Sequence, residues 1–300
     1  MRIAMTGCHG FVGKNLVDYF HRLGIDVIGL TTNVRENPKI FVQMNIDGIW
    51  DQSERLKILK ELKDLDCTYL IHLSANLNAK ENITDLIHVN SMLSFELARL
   101  AVDIEIPRFV FISSLTVIGK PEISPINEQH PLNPQNNYER TKLVAEFLVR
   151  GLERRGTEID ILRIPAPVGR YFPDHRFFHK VVREIANGAN PKIYSFGNRI
   201  QNYLDIRDLG RMIILLKGKP TSDLFLVKGR DELSNTEAVK KIISITNPSL
   251  EVEYSRELDS HDGYNWSIDG SKAHSILSYE PIYGIEESIK QLWAEVKSIE

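Results

Sequence analysis

Cysteine is scarce: only Cys8 and Cys67 occur in 300 residues, with no Cys-x-x-Cys pair. That excludes a disulfide framework, and with no Cys/His cluster at ligand spacing no metal site is expected. A reducing compartment follows. Long apolar runs are missing too. No stretch approaches the roughly 20 residues of a membrane span, and the first residues offer one Arg and a very short apolar run rather than a secretory leader. The sequons Asn82-Ile83-Thr84 and Asn265-Trp266-Ser267 are then accidental, and a cytoplasmic location is expected. Charge of one sign is not in excess either. With 37 basic and 40 acidic residues and a net charge of −3, nothing drives the chain toward nucleic acid or an anionic membrane. Repeats and low-complexity tracts are absent. A small-molecule partner remains.

What is present is a chain that is 42% hydrophobic and 26% charged, enough for a large core and a smaller lobe. Arg2-Ile3-Ala4-Met5 reads as a short buried strand running into Thr6-Gly7-Cys8-His9-Gly10-Phe11-Val12-Gly13, after which Leu16, Val17 and Phe20 recur at helical spacing. Glycines at 7, 10 and 13 suit a tight turn whose backbone lets a diphosphate approach and whose helix N-terminus faces the anion. The turn is a candidate dinucleotide site. The nucleoside-triphosphate motif G-x-x-x-x-G-K-[ST] fails, because Asn15 follows Lys14 and Cys8 stands where its first glycine is required.

Further strands are expected at 25–30, 40–44, 68–73, 108–112 and 158–164, alternating with helical periods at 56–65, 83–102 and from Tyr138 onward. That alternation predicts an α/β fold, a doubly wound parallel sheet of the Rossmann type. Ligands in such sheets sit at the carboxyl ends of the strands, where Gly7, Ala75 and Ser114 fall. Residues 120–137, with four prolines, read as a loop. From Pro165 the alternation breaks, and a helix near 181–186 with short strands near 192–195 and 202–206 suits a smaller lobe. The expected division is a dinucleotide-binding domain over 1–165, with a return segment near 199–218, and a mainly substrate-binding lobe over 166–300. An Asp or Glu about 20 residues past the glycines would hold the ribose 2′-hydroxyl of NAD. Here Thr31, Thr32 and Asn33 stand with Arg35 close behind, which favours NADP(H) over NAD(H).

Tyr138 and Lys142 are four residues apart, on one helix face, and lie beyond a Ser-Ser at a strand end. A phenol with an ordinary pKa of about 10 is too weak a base at neutral pH, and a neighbouring ammonium lowers it. Tyr138 could then exchange a proton with a substrate oxygen held by Ser114 while a nicotinamide exchanges hydride with its carbon.

These residues resemble the extended short-chain dehydrogenase/reductase superfamily in its NAD-dependent epimerase/dehydratase branch. Thr6 to Gly13 is similar to the family's T-G-x-x-G-[FY]-[IV]-G turn, Ile71-His-Leu-Ser-Ala75 to its V-I-H-L-A-A strand end, and Arg108 to Ser114 to its R-F-V-F-x-S-S strand. Tyr138-Glu-Arg-Thr-Lys142 matches its Y-x-x-x-K. Leu162 to Gly169, Ile206-Arg-Asp-Leu209 and Asp269-Gly-Ser-Lys-Ala273 extend the likeness over essentially the whole chain. The resemblance implies Ser114, Tyr138 and Lys142 as catalytic residues, and Gly7, His9, Gly10, Phe11, Val12, Thr32, Arg35, Asn45, Ile46, Leu73, Ala75, Asn90 and Pro165 around the cofactor with Tyr138 and Lys142. Substrate contacts are implied at Ser114, Ala166 and Gln201, and a homodimer as the assembly.

Three departures narrow the activity. Sugar dehydratases of the family carry Asp-Glu where Leu115-Thr116 stands, which speaks against elimination. Epimerases usually carry Asn at the position of Ala166 and Arg at that of Gln201. The expected activity is NAD(P)-dependent 4-keto reduction of a nucleotide-activated sugar, with a 4-epimerase retaining its NAD as the alternative. A non-catalytic dinucleotide-binding regulator would share the fold, but would be expected to have lost one of the three catalytic residues.

Overall fold

The computed structural model describes residues 1–31, 41–43, 46–78, 80–153, 156–173 and 175–298. The first apolar run forms β1 (Arg2–Thr6), and the glycine turn leads into α1 (Phe11–Arg22), whose Leu16, Val17 and Phe20 are buried. β2 (Asp26–Thr31) and β3 (Phe41–Gln43) follow, then a 3-10 turn (Ile46–Trp50) and α2 (Gln52–Asp64). α2 starts a turn before the apolar period suggests, because Asp51 caps it: its carboxylate accepts from the Ser53 and Glu54 N–H groups at 2.9 and 3.0 Å. β4 (Tyr69–His72) is buried along its length.

The helical period of 83–102 is not one regular helix. It comprises α3 (Ile83–Leu86), a π-helical stretch (Ile87–Met92) and α4 (Leu93–Asp103). Such wide turns recur at functional sites, and this one holds Asn90 and Ser91, both buried. β5 (Arg108–Ser114) ends in a 3-10 turn (Leu115–Ile118), and the proline-rich loop delivers the chain to α5 (Asn137–Arg150) and β6 (Glu158–Ile164).

The remaining elements are β7 (Ala166–Val168), α6 (Phe177–Ala186), β8 (Lys192–Tyr194), β9 (Ile200–Asp205), α7 (Ile206–Leu215), β10 (Leu224–Leu226), β11 (Asp231–Ser234), α8 (Asn235–Thr246), β12 (Glu253–Ser255), α9 (Ser271–Leu277) and α10 (Ile285–Lys297). Seven strands form one sheet in the order β10-β6-β5-β4-β1-β2-β3. The pairs β1–β2, β1–β4, β2–β3 and β4–β5 are parallel, as a doubly wound fold requires. Strand order reverses between β1 and β4, so the ligand crevice of this architecture lies outside their carboxyl ends.

Two compact units divide the chain. The first takes residues 1–119, 132–163 and 213–225, and the second takes 120–131, 164–212 and 226–300. In the second, a three-stranded sheet of order β11-β9-β7 accompanies the pair β12-β8, and Phe178, Val182, Tyr203, Ile242 and Ile289 share its core. Cys8 and Cys67 are free and buried, and burial pushes both thiols up to about 11. Among the described residues no helix is long and apolar enough to cross a membrane, and no cluster of His, Cys, Asp and Glu could hold a metal.

Candidate active site

At the carboxyl end of β1, Gly7 has φ +72°, and a Cβ on it would lie 2.8 Å from the Ser74 nitrogen and 3.0 Å from Leu73. Only glycine brings the turn this close to the end of β4. Gly13 is held differently: a Cβ there would lie 2.2 Å from the Gly7 carbonyl oxygen, so it lets the first turn of α1 pack on the glycine loop. Gly10 is exposed and caps α1 with no side chain. No acidic residue occupies the first turn of α1, which leaves the positive end of the helix suited to an anion. His9, Phe11 and Val12 lie on the same turn, half-buried.

Thr6 and His72 bind this turn to the rest of the sheet. Ser94 Oγ donates to the Asn90 carbonyl at 2.6 Å, so it accepts from His72 Nε2 at 3.0 Å. His72 Nδ1 therefore accepts from Thr6 Oγ1 at 2.7 Å, and Thr6 Oγ1 accepts from the Leu73 N–H at 3.2 Å. The tautomer follows from that network. His72 is fully buried, and burial, with the nearby Lys142 charge, pushes its pKa down to about 3.

Asn90, expected at the cofactor, is fully buried. Its Oδ1 accepts from the Asn76 N–H at 2.7 Å, and its Nδ2 donates to the Asn76 carbonyl and to Thr141 Oγ1 at 3.0 and 3.1 Å. Ser91 Oγ donates to the Thr141 carbonyl at 2.7 Å. The π-helical stretch thus grips both the loop after β4, which carries Leu73 and Ala75, and the helix that carries Lys142.

α5 begins at a capping box. Asn136 Oδ1 accepts from the Glu139 N–H at 3.0 Å while Glu139 reaches back to the Asn136 N–H, which fixes the helix start one residue before Tyr138. Tyr138 is half-buried in the first turn. Lys142, one turn on, is 2% exposed. Its Nζ donates to the Ile112 carbonyl of β5 at 2.7 Å and stands 4.1 Å from the Phe111 ring centroid. Burial lowers its pKa to about 7, against the raising effect of Glu146. Ser114 ends β5, two residues beyond that carbonyl, and its hydroxyl shares a 2.9 Å hydrogen bond with Thr116 Oγ1. Where a dehydratase would carry two carboxylates, Leu115 is buried and Thr116 is engaged with Ser114.

Ile46 opens the 3-10 turn before α2. Thr32, Asn33, Arg35 and Asn45 lie outside the described residues. Pro165, Ala166 and Gln201 belong to the second unit, where β7 pairs in parallel with β9 and Ala166 stands opposite Tyr203. Gln201, with its amide oxygen turned to the guanidinium, accepts from Arg199 Nε and Nη2 at 2.7 and 2.9 Å.

Turn, strand ends and helix together define a Rossmann-type α/β protein with a Tyr-x-x-x-Lys helix beside its fifth strand. The chain belongs to the NAD dependent epimerase/dehydratase family, whose model matches residues 3–224. It is 25% identical to a putative UDP-glucose 4-epimerase of Methanocaldococcus jannaschii, over 97% of this chain and 96% of that protein. Among solved structures, it is similar to a UDP-glucose 4-epimerase of Thermotoga maritima with UDP-glucose, at a TM-score of 0.82 and 20% identity with both chains fully covered. It is likewise similar to a UDP-glucuronic acid 4-epimerase of Bacillus cereus in complex with UDP-glucuronic acid and NAD, at 0.81 and 19%, again with both chains fully covered.

Thr6, His72, Ser94 and Thr116 join the hydrogen bonds around the site although the sequence reading gave them no part there. His72 had a signal, as a polar residue ending an otherwise apolar strand. The buried imidazole has a consequence for stability. Its pKa is about 3 in the fold and about 6.5 unfolded, so between those values the unfolded chain binds more protons and stability falls as pH falls. Chemical denaturation from pH 7 to 3 should show a steeper loss in wild type than in His72→Gln; parallel curves would contradict the buried neutral imidazole.

Proposed function

We propose that the protein is a nicotinamide-dependent oxidoreductase acting on a nucleotide-activated sugar, and within that class a 4-keto reductase. The observation that carries this reading is the buried ammonium of Lys142, one helical turn beyond Tyr138 and bonded to the strand that ends at Ser114. A cation in that position favours the ionised form of a neighbouring phenol and gives the helix an acid and base matched to neutral pH.

The glycine turn fits a dinucleotide. A Cβ at Gly7 or Gly13 would fill backbone space, and the helix behind the turn carries no acidic residue in its first turn. In this reading Gly7, His9, Gly10, Phe11 and Val12 hold the diphosphate, and Leu73, Ala75, Asn90 and Pro165 line the cofactor. Thr32, Arg35, Asn45 and Ile46 take the adenosine end, and Tyr138 and Lys142 the nicotinamide ribose. The bound nicotinamide supplies or accepts hydride. Tyr138 gives the proton that a carbonyl oxygen requires on reduction, Ser114 hydrogen-bonds that oxygen, and Lys142 holds the charge that tunes Tyr138. Ala166 and Gln201 contact the substrate.

Reduction is favoured over elimination because the position of the family's acid and base pair offers Leu115 and Thr116, neither of which titrates. NADP(H) is favoured over NAD(H) because Thr31, Thr32 and Asn33 supply no carboxylate and Arg35 supplies a cation. A 4-epimerase with retained NAD is the second reading, and the names of the relatives favour it. A homodimer belongs to the same proposal: Val144 and Phe147 on α5 are 41% and 64% exposed and form an apolar pair for a second copy to cover.

Purified protein should release little NAD, bind NADPH at least tenfold more tightly than NADH, and oxidise NADPH with a nucleotide 4-ketohexose. Tyr138→Phe should lower kcat by about 100-fold to 10,000-fold with NADPH binding retained. Stoichiometric bound NAD without NADPH turnover would replace the reductase with the epimerase, and unaltered turnover by Tyr138→Phe would remove the residue from catalysis. Light scattering should give a dimer for wild type and a monomer for Phe147→Asp; a wild-type monomer refutes the assembly.

A further inference from the structure

One turn past Lys142 on α5 lies Glu146, 2% exposed. Its carboxylate accepts from Arg163 Nη2 at 2.7 Å, from Arg163 Nε at 3.0 Å and from Ser113 Oγ at 2.5 Å. Arg163 comes from β6 and is equally buried, with Nη1 lacking a partner among the described residues. One carboxylate therefore joins three elements: the helix of Tyr138 and Lys142, the strand of Arg163, and the end of β5, where Ser113 precedes Ser114 in the chain.

Besides Glu146, the titratable groups near Lys142 among the described residues are His72 and, one helical turn before it on α5, the Tyr138 phenol that its charge tunes in the proposed function. The Phe111 ring and the Ile112 carbonyl receive its ammonium, and His72 is held neutral. Glu146 is the carboxylate that favours the charged lysine. Arg163 opposes it, because a guanidinium stays protonated and offsets part of the carboxylate's field.

We propose that Glu146 is a positioning residue: clamped by Arg163 and Ser113, it keeps Lys142 charged and ties the strand end carrying Ser114 to the helix carrying Tyr138 and Lys142. The roles of Ser114, Tyr138 and Lys142 rest on the proposed function, whereas the cluster itself does not.

The two charged partners make predictions of opposite sign. Glu146→Gln removes the carboxylate that favours the charged lysine and leaves the Arg163 guanidinium without its counter-ion, so the lysine should titrate at lower pH by about one pH unit or more. Arg163→Met leaves the carboxylate to Lys142 alone, and the lysine should titrate at higher pH. A purely structural tie moves neither.

The measurement is a carbon NMR titration of the lysine ε positions in the protein without substrate, with the Lys142 signal identified by its loss in Lys142→Met. The wild-type midpoint is expected near about 7. A downward move in Glu146→Gln and an upward move in Arg163→Met support the proposal. Unmoved midpoints, or moves in one direction, overturn it. Should Glu146→Gln fail to fold with Arg163 left unpaired, the upward move in Arg163→Met decides alone, and its absence overturns the proposal. The titration needs no turnover. Opposite shifts in a protein that never oxidises NADPH would reject the proposed function and leave Glu146 in place, and unmoved midpoints in an active enzyme would do the reverse.

Discussion

An ammonium buried among apolar and backbone groups is the constraint around which the first unit is arranged. Lys142 donates to the Ile112 carbonyl, faces the π cloud of Phe111, and has its ordinary pKa lowered to about 7 by the loss of water. A cation in such a place is costly unless it is hydrogen-bonded and paired in good geometry, which requires its surroundings to be held in place. Three devices hold them. The capping box at Asn136 fixes where α5 starts, Asn90 and Ser91 fasten Thr141, the residue before Lys142, and the Glu146–Arg163 pair secures the next turn. The helix is pinned on both sides of its lysine.

The same fastening runs back to the glycine turn. Asn90 belongs to a π-helical stretch whose carbonyl receives Ser94, and the chain Ser94, His72, Thr6 ends on the backbone after β4. Gly7 touches that backbone closely enough to exclude a side chain. The proposed diphosphate turn and the proposed proton-transfer helix are thus linked by buried hydrogen bonds. Networks of this kind are stiff when fully satisfied, and the neutral histidine in the middle depends on that satisfaction.

Much of this was legible in the sequence where the information is local. The strand at 158–164, the glycine turn and the four-residue spacing of Tyr138 and Lys142 depend on neighbouring residues, and period and spacing reveal them. The start of α2 was misplaced because a side-chain cap at Asp51, not an apolar position, sets it. The π-helical turn stayed hidden because it follows from packing against Thr141, 51 residues from Asn90. Thr6 and His72 meet across 66 residues, and Glu146 and Arg163 across 17; no periodicity announces such pairs. Ser113 and Ser114 look alike in sequence, and only the fold directs one to Glu146 and the other to Thr116.

A family defined by its dinucleotide turn and Tyr–Lys helix supports several outcomes on sugars, and the residues after Ser114 separate them chemically. Leu115 and Thr116 offer no titrating side chain after Ser114, and in the proposed function the site therefore keeps proton exchange at one oxygen without the acid and base that water elimination would use. The most direct measurement is isotopic: supply NADPH deuterated at nicotinamide C4 with a nucleotide 4-ketohexose, and read the sugar product by mass spectrometry and NMR. One deuterium on the former carbonyl carbon, lost with activity in Tyr138→Phe, is expected; an unlabelled product, or label transfer that survives in Tyr138→Phe, contradicts hydride reduction assisted by this helix.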